Sequence, residues 1–380
     1  MKKQQMGQKM IIGLSLGMVQ KRRKRSSYRH SSSRNNRKRR TRRHILLWLT
    51  VLLLLIVIGA GGTAYLLFSP AGHAQENTYV HIRPTTTLDD VERQLQQHTR
   101  LRYPSFFHHA ARYYRLEEKL RPGRYSITPR MNIMQILGTL ARGKQSAVRF
   151  HLRHVRTRED LVSRMTGRLM MKPEELSTLL ADSSFCDSLG FSPSSVNSLF
   201  LPDAYEVNWD IPAKDLVLRL KKYYDRYWTA DRRAQADSLG LTPIQVSIIA
   251  SIVEEESSKA DEYAEIAGLY IRRLREGMPL QADPTVKFAV GDFTIRRVLG
   301  VHLQTDSPYN TYRYKGLPPG PIRLPYPATM DSVLRANPRG YLYMCARDDF
   351  SGRHRFANTY AEHQRNAALY RKALDERGIK

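Results

Sequence analysis

The spacing of apolar residues changes several times along this chain, and each change predicts a different kind of element. From Ile45 to Phe68 no charge interrupts 24 positions. At roughly 1.5 Å rise per residue such a run exceeds a hydrocarbon core of roughly 30 Å, which predicts a transmembrane helix over 45–68. A cleaved signal peptide is the competing reading, but its apolar region is usually only about 7–15 residues long. After a linker at 69–78, Tyr79-Val80-His81-Ile82 reads as a strand, and Thr87-Leu88-Asp89-Asp90 opens a helix in the manner of a capping box. Arg121-Pro122-Gly123 is turn chemistry, and Tyr125-Ser126-Ile127 reads as a second strand. Ile133, Ile136, Leu137 and Leu140 recur at helical spacing and stop at Gly143. Together these predict a small α/β binding module over 79–146.

The alternation of Val148, Phe150 and Leu152 with Arg149, His151 and Arg153 predicts a half-buried strand leading into a second domain over 147–380. Thr157 and Asp160 cap a helix carrying Leu161, Val162, Met165 and Leu169. From Ser183 to Asp210 the pattern is irregular, with Phe200-Leu201-Pro202-Asp203-Ala204-Tyr205 its only compact apolar patch. Leu216, Leu220, Tyr223, Tyr224 and Tyr227 mark another helix. So do Ile244 to Lys259 after Thr242-Pro243, and Asp261 to Arg275, whose stripe is Ile266, Leu269, Tyr270 and Leu274. The expected fold class is α+β behind an N-terminal transmembrane helix.

Charge refines this picture. The formal net charge is +27, which suggests a nucleic-acid binder, yet Lys and Arg place 16 positive charges before residue 45 with no Asp or Glu among them, leaving +11 for the rest. The runs Lys21 to Arg25 and Arg37 to Arg43 precede the apolar segment, and Ser69 to Glu76 after it carries no Lys or Arg. The positive-inside rule then keeps the basic tail, residues 1–44, cytoplasmic and exports the chain beyond Phe68. Such a tail touches anionic headgroups of the bilayer. Nucleic acid is not an expected partner, because the tail is rich in Ser and Arg and has one aromatic residue, Tyr28. The two cysteines, Cys186 and Cys345, exclude a disulfide scaffold and leave open whether they pair. No CxxC, HExxH, P-loop or GxGxxG occurs and the twelve histidines show no ligand spacing, so neither a metal nor a cofactor is expected. Gly13-Leu14-Ser15-Leu16-Gly17 fits G-x-S-x-G but lacks the α/β context and partners of a serine hydrolase.

Candidate chemistry concentrates in the helix from Ile244. At about 100° per residue with Val246 at zero, Ile249, Ile252 and Val253 fall at about 300°, 240° and 340°, and Glu256 at about 280°, inside the apolar arc. Glu254 and Glu255 fall at about 80° and 180°, on flanks that reach water. A carboxyl held among apolar groups keeps its proton nearer neutrality and can serve as an acid. On spacing alone an equal alternative stands: Glu256 turns outward at the helix end and pairs with Arg272 or Arg273. Asp283 as N-cap with Pro284 at the first helical position predicts the next helix. Tyr309-Asn310-Thr311-Tyr312 and the Pro-rich Gly316 to Ile322 then supply rings, amides and a stiff loop suited to the mouth of a sugar cleft.

The runs ASIVEEES, LYIRRLREGMPLQADPTVKFA, SPYNTYRYKGLPPGPI and HRFANTYAEHQRNAALY resemble the endolytic murein transglycosylase family (MltG or YceG-like) in order and spacing. LRPGRYSITPRMNIMQILGTLARG resembles part of its first exported module, which is LysM-like. The resemblance implies a lysozyme-like transglycosylase domain whose catalytic residue is the second Glu of an E-x-E motif, here Glu256. Gln281, Asp283, Tyr309, Asn310 and Tyr312 match the family's cleft motifs and are implied to bind substrate. The chain departs from the family at Ser198-Leu199, where a Gly often precedes the F-x-P-D patch. The implied activity is cleavage of the MurNAc-GlcNAc β-1,4 bond within nascent peptidoglycan strands to leave 1,6-anhydroMurNAc ends, terminating elongation at the inner membrane. Peptidoglycan synthases are implied partners. The rival readings are a hydrolytic muramidase using Glu256 with Asp283 or Glu254, and a non-catalytic wall-binding or division scaffold.

Overall fold

The computed structural model describes residues 32–73 and 76–378. The basic run Lys21 to Arg25 and the Gly13 to Gly17 pattern lie outside the described residues. The chain divides into two compact units, one ending at Leu67 and the other beginning at Phe68. The described residues of the first form a helix, α1 (Ser32–Phe68, its last residue belonging to the second unit), which starts among basic residues well before the apolar run. Its Arg39–Phe68 portion is long and apolar enough to cross a membrane, and its large apolar side chains are exposed along their length.

The second unit is mixed α and β. It opens with β1 (Thr78–Ile82), α2 (Leu88–Thr99), α3 (Pro104–Tyr113), α4 (Leu116–Lys119), β2 (Gly123–Ile127) and α5 (Ile133–Arg142). The two strands pair antiparallel, with Val80 opposite Tyr125. Two reciprocal caps fix the helix starts: Thr87 with Asp90 on α2, and Asn132 with Gln135 on α5. Each satisfies two backbone N–H groups that a helix end leaves free. Gly143 ends α5 in the left-handed conformation that glycine adopts without steric cost. The module meets the rest of the unit around Trp209, which is buried against His81, and through a 2.8 Å bond from Gln145 to Asp210.

The larger part continues with β3 (Val148–His151), α6 (Arg158–Thr166), α7 (Pro173–Ala181), α8 (Ser183–Ser188) and β4 (Ala204–Val207). The stretch expected to be irregular therefore holds a helix, a 3-10 turn at Val196–Leu199, and β4, which pairs antiparallel with β3 so that Phe150 faces Tyr205. Four residues beside Pro202 are too few to show a period. Neither Ser198 nor Leu199 has a positive φ, so the backbone demands no glycine there. The helices α9 (Ala213–Tyr227), α10 (Ala230–Ser238), α11 (Pro243–Glu256), α12 (Tyr263–Arg275), α13 (Asp283–Val290), α14 (Gly300–Leu303) and α15 (Pro327–Leu334) follow. A hairpin of β5 (Tyr343–Ala346) and β6 (His354–Ala357) and the helix α16 (Tyr360–Glu376) complete the unit.

Helix α11 is the axis of this part. Thr242 and Gln245 form its capping box, Pro243 occupies its first turn, and every residue from Val246 to Val253 is buried. It packs against α12, α13 and α15. The Pro-rich segment does not line the cavity of Glu256 but lies along α11: Ile322 N–H donates to the buried Ser251 hydroxyl at 3.1 Å, and Leu324 N–H to the Val155 carbonyl at 2.9 Å. Gly320 permits this course, because a Cβ there would collide with the Ser194 carbonyl.

Candidate active site

The end of α11 carries three consecutive glutamates with three different surroundings. The helical wheel places Glu254 and Glu255 toward water, and here the structure corrects it: their side chains are only 7% and 19% exposed. The Pro-rich segment and α15 wrap the flank that an isolated helix would leave wet. Glu254 meets Arg323 at 3.2 Å and accepts the Tyr326 N–H at 2.9 Å. Glu255 takes a two-pronged bond from Arg156, at 3.1 and 2.9 Å, and a third from Arg323 at 2.8 Å. Burial still pushes the Glu254 carboxyl upward, with Arg323 opposing it.

Glu256 has no such clamp. Its Oε2 is sealed from solvent and bonds to nothing among the described residues. The Tyr270 hydroxyl, from α12, favours its ionised form. Burial pushes that carboxyl up to about 7; the Asp283 charge adds to the rise, and Tyr270, Lys287 and Arg273 pull against it. The outward-turned alternative does not hold. Arg272 is spent on Glu276 and the Gly340 carbonyl, and Arg273 donates to the carbonyls of Leu342 and Leu280, at 2.7 and 2.8 Å. Glu256 is thus a carboxyl group able to hold its proton near neutral pH, as an acid catalyst requires.

A cavity of about 310 Å³ opens in front of it, lined by Glu256, Tyr270, Arg273, Gln281, Asp283, Tyr312 and, from the hairpin, Met344, Cys345, Ala346 and His354. Asp283 is the first residue of α13 rather than its cap, which is Ala282. Its carboxylate is consequently free to accept the Tyr312 hydroxyl at 2.6 Å instead of the helix N–H groups. Gln281 sits exposed at the rim with a φ of 52°, a left-handed conformation costly for a residue with a Cβ. A bond from its N–H to the Thr311 carbonyl, 3.2 Å, holds it there.

Four of the six residues singled out from sequence, Glu256, Gln281, Asp283 and Tyr312, therefore line one cavity. Tyr309 and Asn310 do not. The Tyr309 ring packs on Phe288 with centroids 4.7 Å apart. Asn310 is fully buried; its amide donates to the Leu303 and Thr305 carbonyls, both at 2.9 Å, and its oxygen accepts the Tyr312 N–H. It shapes the loop that delivers Tyr312. Tyr270 and the hairpin wall are not among those six, and Arg273 enters from sequence only as an outward ion-pair partner of Glu256. Tyr270 reads as one member of an apolar helical stripe, whereas His354 opens the last of the four motif runs and carried a usable signal.

A larger groove of about 460 Å³ lies between α6 and α7, where its carboxylates Glu159 and Glu174 are exposed. Cys186 and Cys345 do not pair. Among the described residues one group brings three metal-ligand atoms within 4.8 Å of one another: Asp89, Glu92 and His108, where His108 already bonds Glu92 at 2.8 Å. Folding assembles it from α2 and α3, so spacing could not show it, and it lies in the first module.

Comparison with known proteins gives the chain its relatives. A solved structure described as a YceG-like protein from Listeria monocytogenes superposes with a TM-score of 0.50 at 25% identity, covering 77% of this chain and 99% of that one. The endolytic murein transglycosylase of Bacillus subtilis (strain 168) is 37% identical over 129 residues, 34% of this chain and 35% of that protein. The protein of that name from Streptococcus pneumoniae serotype 2 is 33% identical over 135 residues, 34% of this chain and 24% of its own length. The aligned stretch thus spans about a third or less of these two relatives. The YceG-like family profile matches residues 80–369. The chain belongs to the YceG-like family.

Proposed function

We propose that this protein is an endolytic lytic transglycosylase of peptidoglycan with Glu256 as its acid and base. One observation carries the reading: a carboxyl group with a solvent-sealed, unbonded oxygen and a proton affinity near neutrality, at the wall of a cavity edged by tyrosines, an amide and a carboxylate. Protonated Glu256 donates to the glycosidic oxygen between MurNAc and GlcNAc, and the bond breaks through an oxocarbenium-like state. The carboxylate then removes the proton of the muramoyl C6 hydroxyl, whose oxygen closes on C1 to give the 1,6-anhydro end. The acid is regenerated and no water is consumed. The tethered hydroxyl benefits from its high effective concentration. Gln281, Asp283 and Tyr312 contact the sugar chain, while Asn310 and Tyr309 hold the loop behind them.

In this reading residues 79–146 form a LysM-like glycan-binding module, an assignment supported by the order β1-α2-α3-α4-β2 and the antiparallel strand pair, and residues 147–380 form the catalytic domain. Residues 45–68 anchor the chain in the inner membrane with the basic tail cytoplasmic. The enzyme cuts inside nascent strands, ends their elongation, and works beside peptidoglycan synthases. The test is digestion of purified peptidoglycan by the detergent-solubilised full chain, read by mass. Anhydro ends, one water lighter than hydrolytic ends and absent with Glu256→Gln, are expected. Hydrolytic ends would instead make Asp283 the partner of a muramidase, and no product at all would leave a wall-binding scaffold.

A further inference from the structure

A second cavity, of about 70 Å³, is lined by Arg156, Glu255, Pro284, Lys287, Phe288, Phe293 and Ile322. It is built from the chain neighbours of the acid site: Glu255 precedes Glu256, and Pro284 follows Asp283. The charges around it do not balance. Glu254 and Glu255 are matched by Arg156 and Arg323, which bond to them directly. Lys287 is left over; it lies half-buried one helical turn beyond Asp283, and among the described residues no hydrogen bond or ion pair engages its amine. Asp283, the carboxylate nearest along α13, is occupied by Tyr312. Phe288, Phe293 and Ile322 contribute to its walls, and the Phe293 ring lies beneath Arg156 at 5.0 Å, which helps hold that guanidinium.

We propose that this cavity, with Lys287 as its principal cation and Arg156 beside it, binds a carboxylate of the substrate strand and thereby selects which muramic acid residue enters the acid site. The inference rests on the murein reading, and it names the group recognised. Murein offers that chemistry from two sources: the acidic residues of the peptide stem, or the lactyl carboxylate of a muramic acid whose stem has been removed. The volume suits one carboxylate and excludes a sugar ring. Binding there has a further consequence. Lys287 opposes the proton on Glu256, alongside Tyr270 and Arg273 from α12 and against Asp283, in a cavity that Tyr312 and His354 also line. An anion that neutralises Lys287 makes the acid hold its proton more firmly, so the selected strand also primes the acid.

The experiment uses the full chain in detergent with three strand preparations: stems with free carboxylates, the same stems amidated, and strands stripped to the lactyl carboxylate. Wild type is expected to cleave one of the carboxylate-bearing preparations about tenfold faster than amidated strands, as fits a charged hydrogen bond, and which one identifies the source. In Lys287→Gln that ratio falls toward one, and the basic limb of the pH profile moves to higher pH because a charge opposing the proton is gone. Lys287→Arg restores the preference, which separates recognition from a folding defect. Binding of the same strands to Glu256→Gln, with and without Lys287→Gln, gives a readout that needs no cleavage. A wild type that cuts all preparations equally, or a Lys287→Gln loss equal on all three with unchanged binding ratios, overturns the proposal. Failure to cut any strand while the binding preference persists would count instead against the catalytic reading.

Discussion

The two flanks at the end of α11 bury carboxylates of the same kind to opposite effect. On one flank Glu254 and Glu255 are locked by Arg156, Arg323 and the Tyr326 N–H. On the other, Glu256 has a tyrosine hydroxyl, an unbonded oxygen and the like charge of Asp283. A buried charge is tolerable when paired and hydrogen-bonded, and otherwise the group takes up a proton instead. The clamped flank thus fixes the backbone that presents Glu256, and the unclamped flank leaves a carboxyl group that holds its proton. Neighbouring residues on one helix end become a structural clamp and, in the proposed mechanism, the acid, according to what neighbouring elements bring to them.

This contrast can be broken by exchanging partners. The largest effect is expected for Glu256→Gln, which should lower strand cleavage by roughly 10²–10⁴-fold, the usual contribution of a general acid. The same change should stabilise the fold at alkaline pH. The native carboxyl holds its proton up to about 7 and a free one only to 4.5, so wild-type stability falls as pH rises through that interval. Glu256→Gln should therefore be more stable at pH 8, by on the order of 1–3 kcal/mol, and lose that advantage below the interval. Chemical unfolding of both proteins at the two pH values measures it. Arg323→Met should do the reverse, leaving Glu254 and Glu255 buried without their shared partner and costing about 3–5 kcal/mol in the same assay.

Smaller changes sharpen the comparison. Tyr270→Phe removes the hydroxyl that favours ionised Glu256; losing an interaction of roughly 1–2 kcal/mol should cut kcat/KM about tenfold. Because Tyr270 opposes protonation, the basic limb of the pH profile should also move upward. The smallest effect is expected for Tyr312→Phe, which frees Asp283 and should reduce kcat/KM only a few-fold, by about 0.5–1.5 kcal/mol. A drop as large as that of Glu256→Gln would make Tyr312 part of the proton chemistry itself.

Helix α11 was legible because its start and its apolar run agree: Thr242, Pro243 and Gln245 cap it, and the aliphatic residues beyond leave little room for another structure. The same geometry offered an interior placement for Glu256 and an outward one equally, and the folded neighbours decide between them. The fate of Glu254 and Glu255 did not, because a helical wheel sees one helix, and both are enclosed by a segment some 70 residues further on. Asn310 illustrates the opposite error. An amide between two tyrosines invites a binding role, and only the folded loop reveals that its donors go to Leu303 and Thr305. Tyr270 escaped because a tyrosine at helical spacing looks like packing, which it also is; its hydroxyl alone marks the site.

The central claim is that Glu256 holds a proton near neutral pH, and its titration in the full chain tests this most directly. With glutamate labelled at the carboxyl carbon, the resonance present in wild type and missing from Glu256→Gln should titrate with a midpoint of about 7. A midpoint near the ordinary glutamate value of about 4.3 would mean the carboxyl is ionised at working pH, and the account of its chemistry would be wrong.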